Sequence, residues 1–386
     1  MDKFGFVGET TEYKLSDLFN LQMGKTPSRN NAEFWSDGEY KWISIADLTK
    51  TGKYISETKE LLSQKAIDES GIAVIPTNTV VMSFKLSIGK TAITSEDMYS
   101  NEAIMSFHDR HVTELLPEYI YYLLLAQRWD EGANKAVMGM TQNKATLSNR
   151  KVRIHSIIAQ KSIVERLDKL QKLIDDRKTQ LDELETLIKA RFVEMFGDPL
   201  AGTEKWSFQT VGDVADSVDP QPSHRTPPVV EGGIPYVSMK DCNYKNGTID
   251  FAGARKVSPD VLVEHHNRYE LHNGDFIIGK IGTIGNPIFV PKRDDYALSA
   301  NVVLIQPNSS KVSPYFLKET FESSFVERQF LDAKNSTSQA AFGIKKVRNI
   351  KIMNPDMKTQ MEFENFAIQV DKLKVEVQSI FLNCGS

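Results

Sequence analysis

Trp42-Ile43-Ser44-Ile45-Ala46-Asp47-Leu48 returns downstream as Tyr236-Val237-Ser238-Met239-Lys240-Asp241-Cys242, an offset of 194 residues. Working outward, the stretch from Lys85 (KLSIGKTAI) pairs with that from Lys280 (KIGTIGNPIF), starting at 195. Thr141-Gln142 matches Ser338-Gln339 at 197, and Gln160 with the helical pattern after it matches Gln360 at 200. Offsets that drift slowly in one direction are what small loop insertions produce. The chain is read as a tandem duplication. In each copy, a mixed α/β domain is followed by a long helix.

Short β-branched or alternating runs predict strands at 40–46, 79–84 and 102–107, and again at 234–239, 275–281 and 301–306. Gly232-Gly233 and the stretch Gly279 to Pro287 punctuate them as turns. One amphipathic helix is expected late in each copy, near 117–129 and 313–330, and loops elsewhere. From 156 to 196 there is neither Gly nor Pro. Ile163, Leu167, Leu170, Ile174, Leu181, Leu184 and Ile188 follow 4-3 spacing there, interrupted only by Arg177. Gly197-Asp198-Pro199 ends this helix. Its forty or so residues would span roughly 60 Å at 1.5 Å per residue. Phe366, Val370, Leu373, Val377 and Ile380 form a second seam. The fold class expected is α+β: two duplicated mixed domains separated by long helices that pair as an antiparallel coiled coil. The alternative packs each helix on its own domain. The boundaries are 1–155, a central spacer 156–199, a second domain 200–355 and a shorter spacer 356–386.

The 386 residues are 40% hydrophobic and 25% charged, ordinary for a globular chain and unlike a disordered or fibrous one. No apolar run approaches the ~20 residues of a membrane span, and MDKFGFVGETTEYK is not a signal peptide. Cys242 and Cys384 alone make no disulfide framework and no four-ligand zinc site. A cytoplasmic setting is expected.

The net charge of −4 excludes a uniformly basic surface but not local patches. Residues 1–150 hold 16 Lys/Arg against 20 Asp/Glu, and 200–354 hold 18 against 17. Yet between Glu131 and Glu165 there is no carboxylate, while Lys135, Lys144, Arg150, Lys151, Arg153 and Lys161 all fall there. Between Asp332 and Asp356 the same holds around Lys334, Lys345, Lys346, Arg348 and Lys351. An acid-free, glycine-rich window also surrounds Lys85 with Lys90, and another runs from Lys280 through Thr283 to Lys292 and Arg293, ending at Asp294. One such window is usually a solvated face. Recurrence at matching places in both copies instead favours a polyanion-binding surface. Gln142, Asn143 and Gln339 add amides suited to adenine edges.

Catalytic motifs fail on inspection. Gly24-Lys25-Thr26 and Gly89-Lys90-Thr91 lack the glycine a phosphate-binding loop needs five residues earlier, where Phe19 and Phe84 stand. Gly279 to Gly285 fits a strand-to-strand turn better than a dinucleotide fingerprint. Asn286-Pro287-Ile288-Phe289 resembles a damaged Asn-Pro-Pro-aromatic motif of DNA amino-methyltransferases, without a glycine-rich methyl-donor motif. His108 with His111, and His265 with His266, lack companion ligands and read as surface or core histidines. Asp332-Ala333-Lys334 has Pro259-Asp260 too far away for a compact nuclease site.

With the duplication, helices and basic windows together, the chain resembles the specificity (S) subunit of Type I restriction–modification systems. The residues carrying the resemblance are Trp42-Ile43-Ser44 with Asp47, and Val74-Ile75-Pro76 through Ser83-Phe84-Lys85 to Ile88-Gly89-Lys90. The second copy adds Asn273-Gly274-Asp275 through Gly282-Thr283-Ile284-Gly285, and the spacer ends in Arg191 to Pro199 in a similar way. Each motif is short; their order, repeated twice with helices between, is specific. The resemblance implies two target-recognition domains, each reading half of a split, asymmetric DNA site, and antiparallel spacers that set the gap. It implies two methyltransferase (M) subunits and restriction (R) subunits as partners, which bind S-adenosylmethionine, ATP and Mg²⁺. The chain would then direct adenine methylation or cleavage without catalysing either. One departure is the second helix, from about 358 to Ser386, which is shorter than the first. A self-sufficient modifying enzyme and a coiled-coil adaptor that binds no DNA are the competing readings.

Overall fold

The computed structural model describes all residues except 1–8, 130–133, 137–138, 142–143, 222–224, 245–246, 281–284, 336–342 and 385–386. The chain divides into two compact units, Met1–Lys172 and Leu173–Ser386.

The first unit is built on a five-stranded sheet. Its strands lie in the order Phe19–Met23, Ile104–Asp109, Val80–Ser83, Thr91–Thr94 and Tyr54–Ile55. All neighbours are antiparallel except the last pair. Because strand side chains alternate in direction, Val80, Met82 and Phe84 enter one core beneath the helix Pro117–Leu125. Val81 enters the opposite core, with Ile43, Ile55 and Ile104. Both faces are covered, which is why these strands are apolar without interruption. The expected remainder of loops needs correction. Thr10–Lys14 pairs with Lys151–His155, Thr10 opposite His155, and closes the unit. Two of the five residues of that second strand, Lys151 and Arg153, are exposed, and this polar alternation concealed it.

The second unit repeats the plan. Ala215–Val218, Val302–Pro307, Phe276–Gly279 and Gly285–Phe289 form a four-stranded antiparallel sheet. Phe276, Ile278, Val303 and Ile305 face one core, and Ile277, Val302 and Leu304 the other. Phe208–Thr210 pairs with Lys351–Met353, as the closing strands do in the first unit. The turn expected between Gly279 and Gly285 does join two antiparallel strands.

The opening heptapeptide explains itself locally. Strand Tyr40–Ile43 stops where Ser44 caps the helix Ile45–Lys50. The Ser44 amide and hydroxyl both donate to Asp47 Oδ2, at 2.9 and 2.6 Å. Ser238 and Asp241 repeat the arrangement at 2.8 Å for each bond. The strands expected to reach 46 and 239 are therefore cut short by a capping box. The helix expected over 313–330 is likewise two, Pro314–Glu322 and Ser324–Asn335. Ser323 between them is extended, and its hydroxyl accepts from the amide of Val326.

The long helix spans Ile157–Phe196 and the C-terminal one Met357–Cys384. In the second unit they run antiparallel. The rings of Phe192 and Phe196 meet Phe363 at 5.4 and 5.6 Å, while Glu185, two turns back, accepts from Lys374 at 2.5 Å. Ile188 is buried there, with Leu184 and Phe366 packed against the same core, and Val370 is 3% exposed. At the other end, Ile163 and Leu167 pack on the first unit's own core. Leu170, Ile174 and Leu373 are exposed, Leu181 and Val377 are half-buried, and the Ile380 side chain lies outside the described residues. The seam is not one continuous stripe against one partner, because 4-3 spacing serves a globular core as well as a neighbouring helix.

Candidate nucleic-acid interface

In the first unit, backbone pairing brings the acid-free windows together. Strand Lys85–Leu86 pairs with Gly139–Thr141, Thr141 opposite Lys85, so backbone from each of two acid-free windows lies side by side. Gly89, with φ at +90°, lies so close to Trp129 that a Cβ would fall 2.7 Å from Cδ1. A side chain there would have to displace the ring, so glycine is required on two counts. The guanidinium of Arg150 lies 5.7 Å from the centre of the Trp129 ring and donates to the Arg128 carbonyl at 3.0 Å. The turn holding Lys90 and the segment from Lys144 to Lys151 are thus joined through one tryptophan.

The cations differ in how free they are. Lys90 and Lys144 are exposed, and Lys144 opens the short helix Lys144–Ser148. Lys85 is half-buried, its ammonium 5.2 Å from the Phe84 ring centre. Lys151 is exposed and pairs with Glu12 at 2.7 Å, holding that carboxyl below its ordinary range. An exposed pair of this kind contributes little to stability and exchanges readily for another anion.

In the second unit, Lys345 is exposed on the helix Ile344–Arg348, while Lys346 donates to the Ala333 carbonyl at 3.2 Å. Arg348 donates to the Ser217 carbonyl at 3.0 Å. Lys280 requires a correction. It is 5% exposed and its ammonium donates to Asp219 at 2.6 Å. An ammonium buried on a carboxylate is a structural pair, so Lys280 is not placed to meet a phosphate. Gln142, Asn143, Thr283 and Gln339 lie outside the described residues.

The remaining motifs resolve into structure. Asn286 to Phe289 belong to the strand Gly285–Phe289, with Ile288 buried and the Phe289 ring 4.8 Å from Tyr315. His265 is a core histidine, bonded to Tyr269 at 2.9 Å and Gln221 at 2.7 Å. Burial pushes its pKa down to about 4. His108 is half-buried against Ser106 at 2.9 Å and lowered by burial, and His111 is exposed. Among the described residues no three His, Cys, Asp or Glu side chains are grouped to hold a metal ion, and no helix is long and apolar enough to cross a membrane.

What sequence reading missed is how the paired glutamines hold the helices. Gln160 is fully buried. Its Oε1 accepts from the Leu116 amide at 3.0 Å, and its Nε2 donates to the carbonyls of Glu114 and His155, both at 2.9 Å. Gln360 does the same with the Ser313 amide and the Pro355 carbonyl, both at 2.9 Å. Their match at an offset of 200 was the available signal.

Comparison with known proteins follows the same duplication. A family model described as the Type I restriction modification DNA specificity domain matches residues 8–186 and again 203–378. The Type I restriction enzyme MjaIX specificity subunit of Methanocaldococcus jannaschii is 26% identical over 189 residues, which cover 48% of this chain and 43% of that protein. The EcoR124I/EcoR124II specificity subunit of Escherichia coli is 27% identical over 174 residues, 43% of this chain and 42% of that one. The matched stretches thus span less than half the length of these relatives. In fold, the S subunit of a Type I restriction–modification system from M. genitalium superposes with a TM-score of 0.54. That alignment covers 97% of this chain and 92% of the other at 12% identity.

Proposed function

The chain belongs to the Type I restriction–modification DNA specificity family, in two copies, and from that premise we propose that it reads a bipartite, asymmetric DNA site. Each copy reads one half. Adenine methylation and cleavage are the work of partners, two methyltransferase subunits and restriction subunits, which bring S-adenosylmethionine, ATP and Mg²⁺. This chain supplies sequence choice and no catalytic group, and a cytoplasmic setting suits that role. The observation that supports the reading is the pairing of Thr141 with Lys85, which sets strands from two acid-free windows next to each other. Lys90, Lys144, Arg150 and Lys151 then position phosphates, while neighbouring amides read base edges. Lys345, Lys346 and Arg348 have the same part in the second copy.

The test is an exchange. Replacing residues 1–150 by the first domain of another member should, by methylome sequencing of cells that express the assembled complex, change one half-site and leave the other. Alteration of both halves, or no adenine methylation that depends on this chain, overturns the reading.

A further inference from the structure

The long helix leaves the first unit at a carboxylate. Asp168 is half-buried, and every residue from Lys169 to Asp176 is exposed. Two donors from different elements converge on its Oδ1, the ammonium of Lys53 and, at 2.5 Å, the hydroxyl of Tyr122. Lys53 comes from the sheet. Its carbonyl accepts from the Ile93 amide at 2.9 Å, immediately before the edge strand Tyr54–Ile55. Tyr122 comes from the helix Pro117–Leu125. The Lys53 ammonium also lies 5.7 Å from the Tyr54 ring centre and 5.2 Å from that of Tyr122. The Tyr54 hydroxyl in turn donates to Glu118, on the same helix as Tyr122, at 2.7 Å. Sheet, packing helix and spacer thus meet at one ion pair whose partners stand 115 residues apart in sequence.

Exposure says that this pair does little for the fold. The side chains of Lys53 and Asp168 are 20% and 41% exposed, and ion pairs that water reaches contribute little to stability. Its place says more. Gln160 holds the start of the helix, and Asp168 lies about 12 Å further along at 1.5 Å per residue. Ile163 and Leu167 between them pack on the core, but apolar contact is non-directional. Two polar contacts more than two turns apart therefore fix the direction in which the helix leaves. Beyond Asp168 the helix continues unbroken to Phe196, about 42 Å further. Over that length a tilt of about 5° displaces the far end by one base-pair step of ~3.4 Å.

We propose that Asp168, held by Lys53 and Tyr122, is a positioning residue that sets the angle at which the spacer leaves the first recognition domain, and so holds the gap of the DNA site to one length. The consequence for the gap rests on the bipartite reading above; the mount itself does not.

The first measurement needs no DNA. Spin labels are attached to the full chain at Glu69→Cys and Ala190→Cys, both exposed positions, with Cys242→Ser and Cys384→Ser. Pulsed electron–electron double resonance then reads the distribution of distances between them. Lys53→Glu turns the ion pair into a repulsion. Ala190 lies about 33 Å beyond Asp168, so a swing of about 10° should broaden the distribution by about 6 Å. Adding Asp168→Lys restores the pair with its signs exchanged and should narrow the distribution again. Equal widths for Lys53→Glu and the parent, no narrowing in the double variant, or a Lys53→Glu chain that no longer folds, overturns the proposal.

The second measurement is methylome sequencing of cells expressing the assembled complex. Lys53→Glu should keep both half-site sequences but admit gaps one base pair longer and shorter, and Asp168→Lys added to it should return the site to a single gap. An unchanged single gap with Lys53→Glu, or methylation lost alike at every gap, overturns the role in gap choice. Absence of methylation with the wild-type chain refutes the bipartite reading instead, and the label distances still decide the mount.

Discussion

Lys85 and Lys280 hold equivalent places in the two copies, yet one is half-buried beside Phe84 and the other is buried on Asp219. The cause lies on the adjoining strand. Asp17 and Asp213, which accept from the backbone amides of Lys14 and Thr210, set an offset of 196 that aligns Asp219 with Met23, so the first copy offers Lys85 no carboxylate there. Asp219 is 61 residues from Lys280 in sequence, which is why the glycine-rich window alone read as phosphate-binding. Removing one partner of a buried pair costs about 3–5 kcal/mol. Lys280→Ala should therefore lower the calorimetric unfolding midpoint by about 6–20 °C, at 2–4 °C per kcal/mol for a unit of this size. Lys90→Ala should leave it within a degree; an unchanged midpoint for Lys280→Ala would restore that lysine to the DNA-binding set. Glu319 makes the complementary case. Its folded pKa, about 7, lies above the ordinary 4.5. The protonated form is thus favoured by folding, and stability that is full below pH 4.5 is lost as pH rises through 7. At 1.36 kcal/mol per pKa unit, the loss is roughly 3 kcal/mol at most. Glu319→Gln lacks this titration and should unfold close to wild type at pH 5 but several degrees higher at pH 8. Parallel thermal curves at the two pH values would contradict it.

Elements show which parts of a pattern carry information. The Ser-x-x-Asp within the opening repeat is a capping box legible in sequence, and it fixes where strand gives way to helix in both copies. The 4-3 spacing of the long helix is equally legible, but it does not name its partner. Ile163 packs on a sheet-and-helix core and Ile188 on a core that includes the C-terminal helix. What orients each helix at its start is a single buried glutamine whose partners, apart from one neighbouring carbonyl, lie 44 to 47 residues upstream. No local pattern announces such a contact; only identity across the duplication did. Gln160→Leu fills similar space but leaves the Leu116 amide and two carbonyls unpaired in the interior. Each stranded group costs about 1–3 kcal/mol. Differential scanning calorimetry should show a loss of about 3 kcal/mol or more, with amide exchange accelerated at Leu116. Gln160→Glu, which keeps the acceptor, should lose less. Equal stability of Gln160→Leu and wild type would remove the lock from the account.

At the scale of the molecule the duplication was plain from sequence, since offsets of 194 to 200 survive divergence that blurs every single motif. The family match ending at 186 and restarting at 203 falls on the same seam in the chain. Which bases are read was not legible, because a residue type does not fix which base edge its side chain meets, and Gln142, Asn143, Thr283 and Gln339 lie outside the described residues. The helix Ile157–Phe196 is where length itself becomes a prediction. It is one unbroken helix of 40 residues without glycine or proline, so added residues lengthen it rather than loop out. Inserting four residues after Thr179, which is exposed, adds about 6 Å at 1.5 Å per residue. Base pairs are spaced by ~3.4 Å along each strand, so the gap between half-sites should widen by one or two base pairs. Four residues also turn the helix by about 400°, at 3.6 residues per turn. The faces on either side of the insertion therefore end roughly 40° out of step, and association with the methyltransferase subunits is checked first by gel filtration. The half-site sequences should persist, since the proposed phosphate- and base-contacting residues lie outside this helix. Methylome sequencing of an assembled variant then decides: an unchanged gap, or new bases within either half-site, rejects the helix as the ruler of the recognition site.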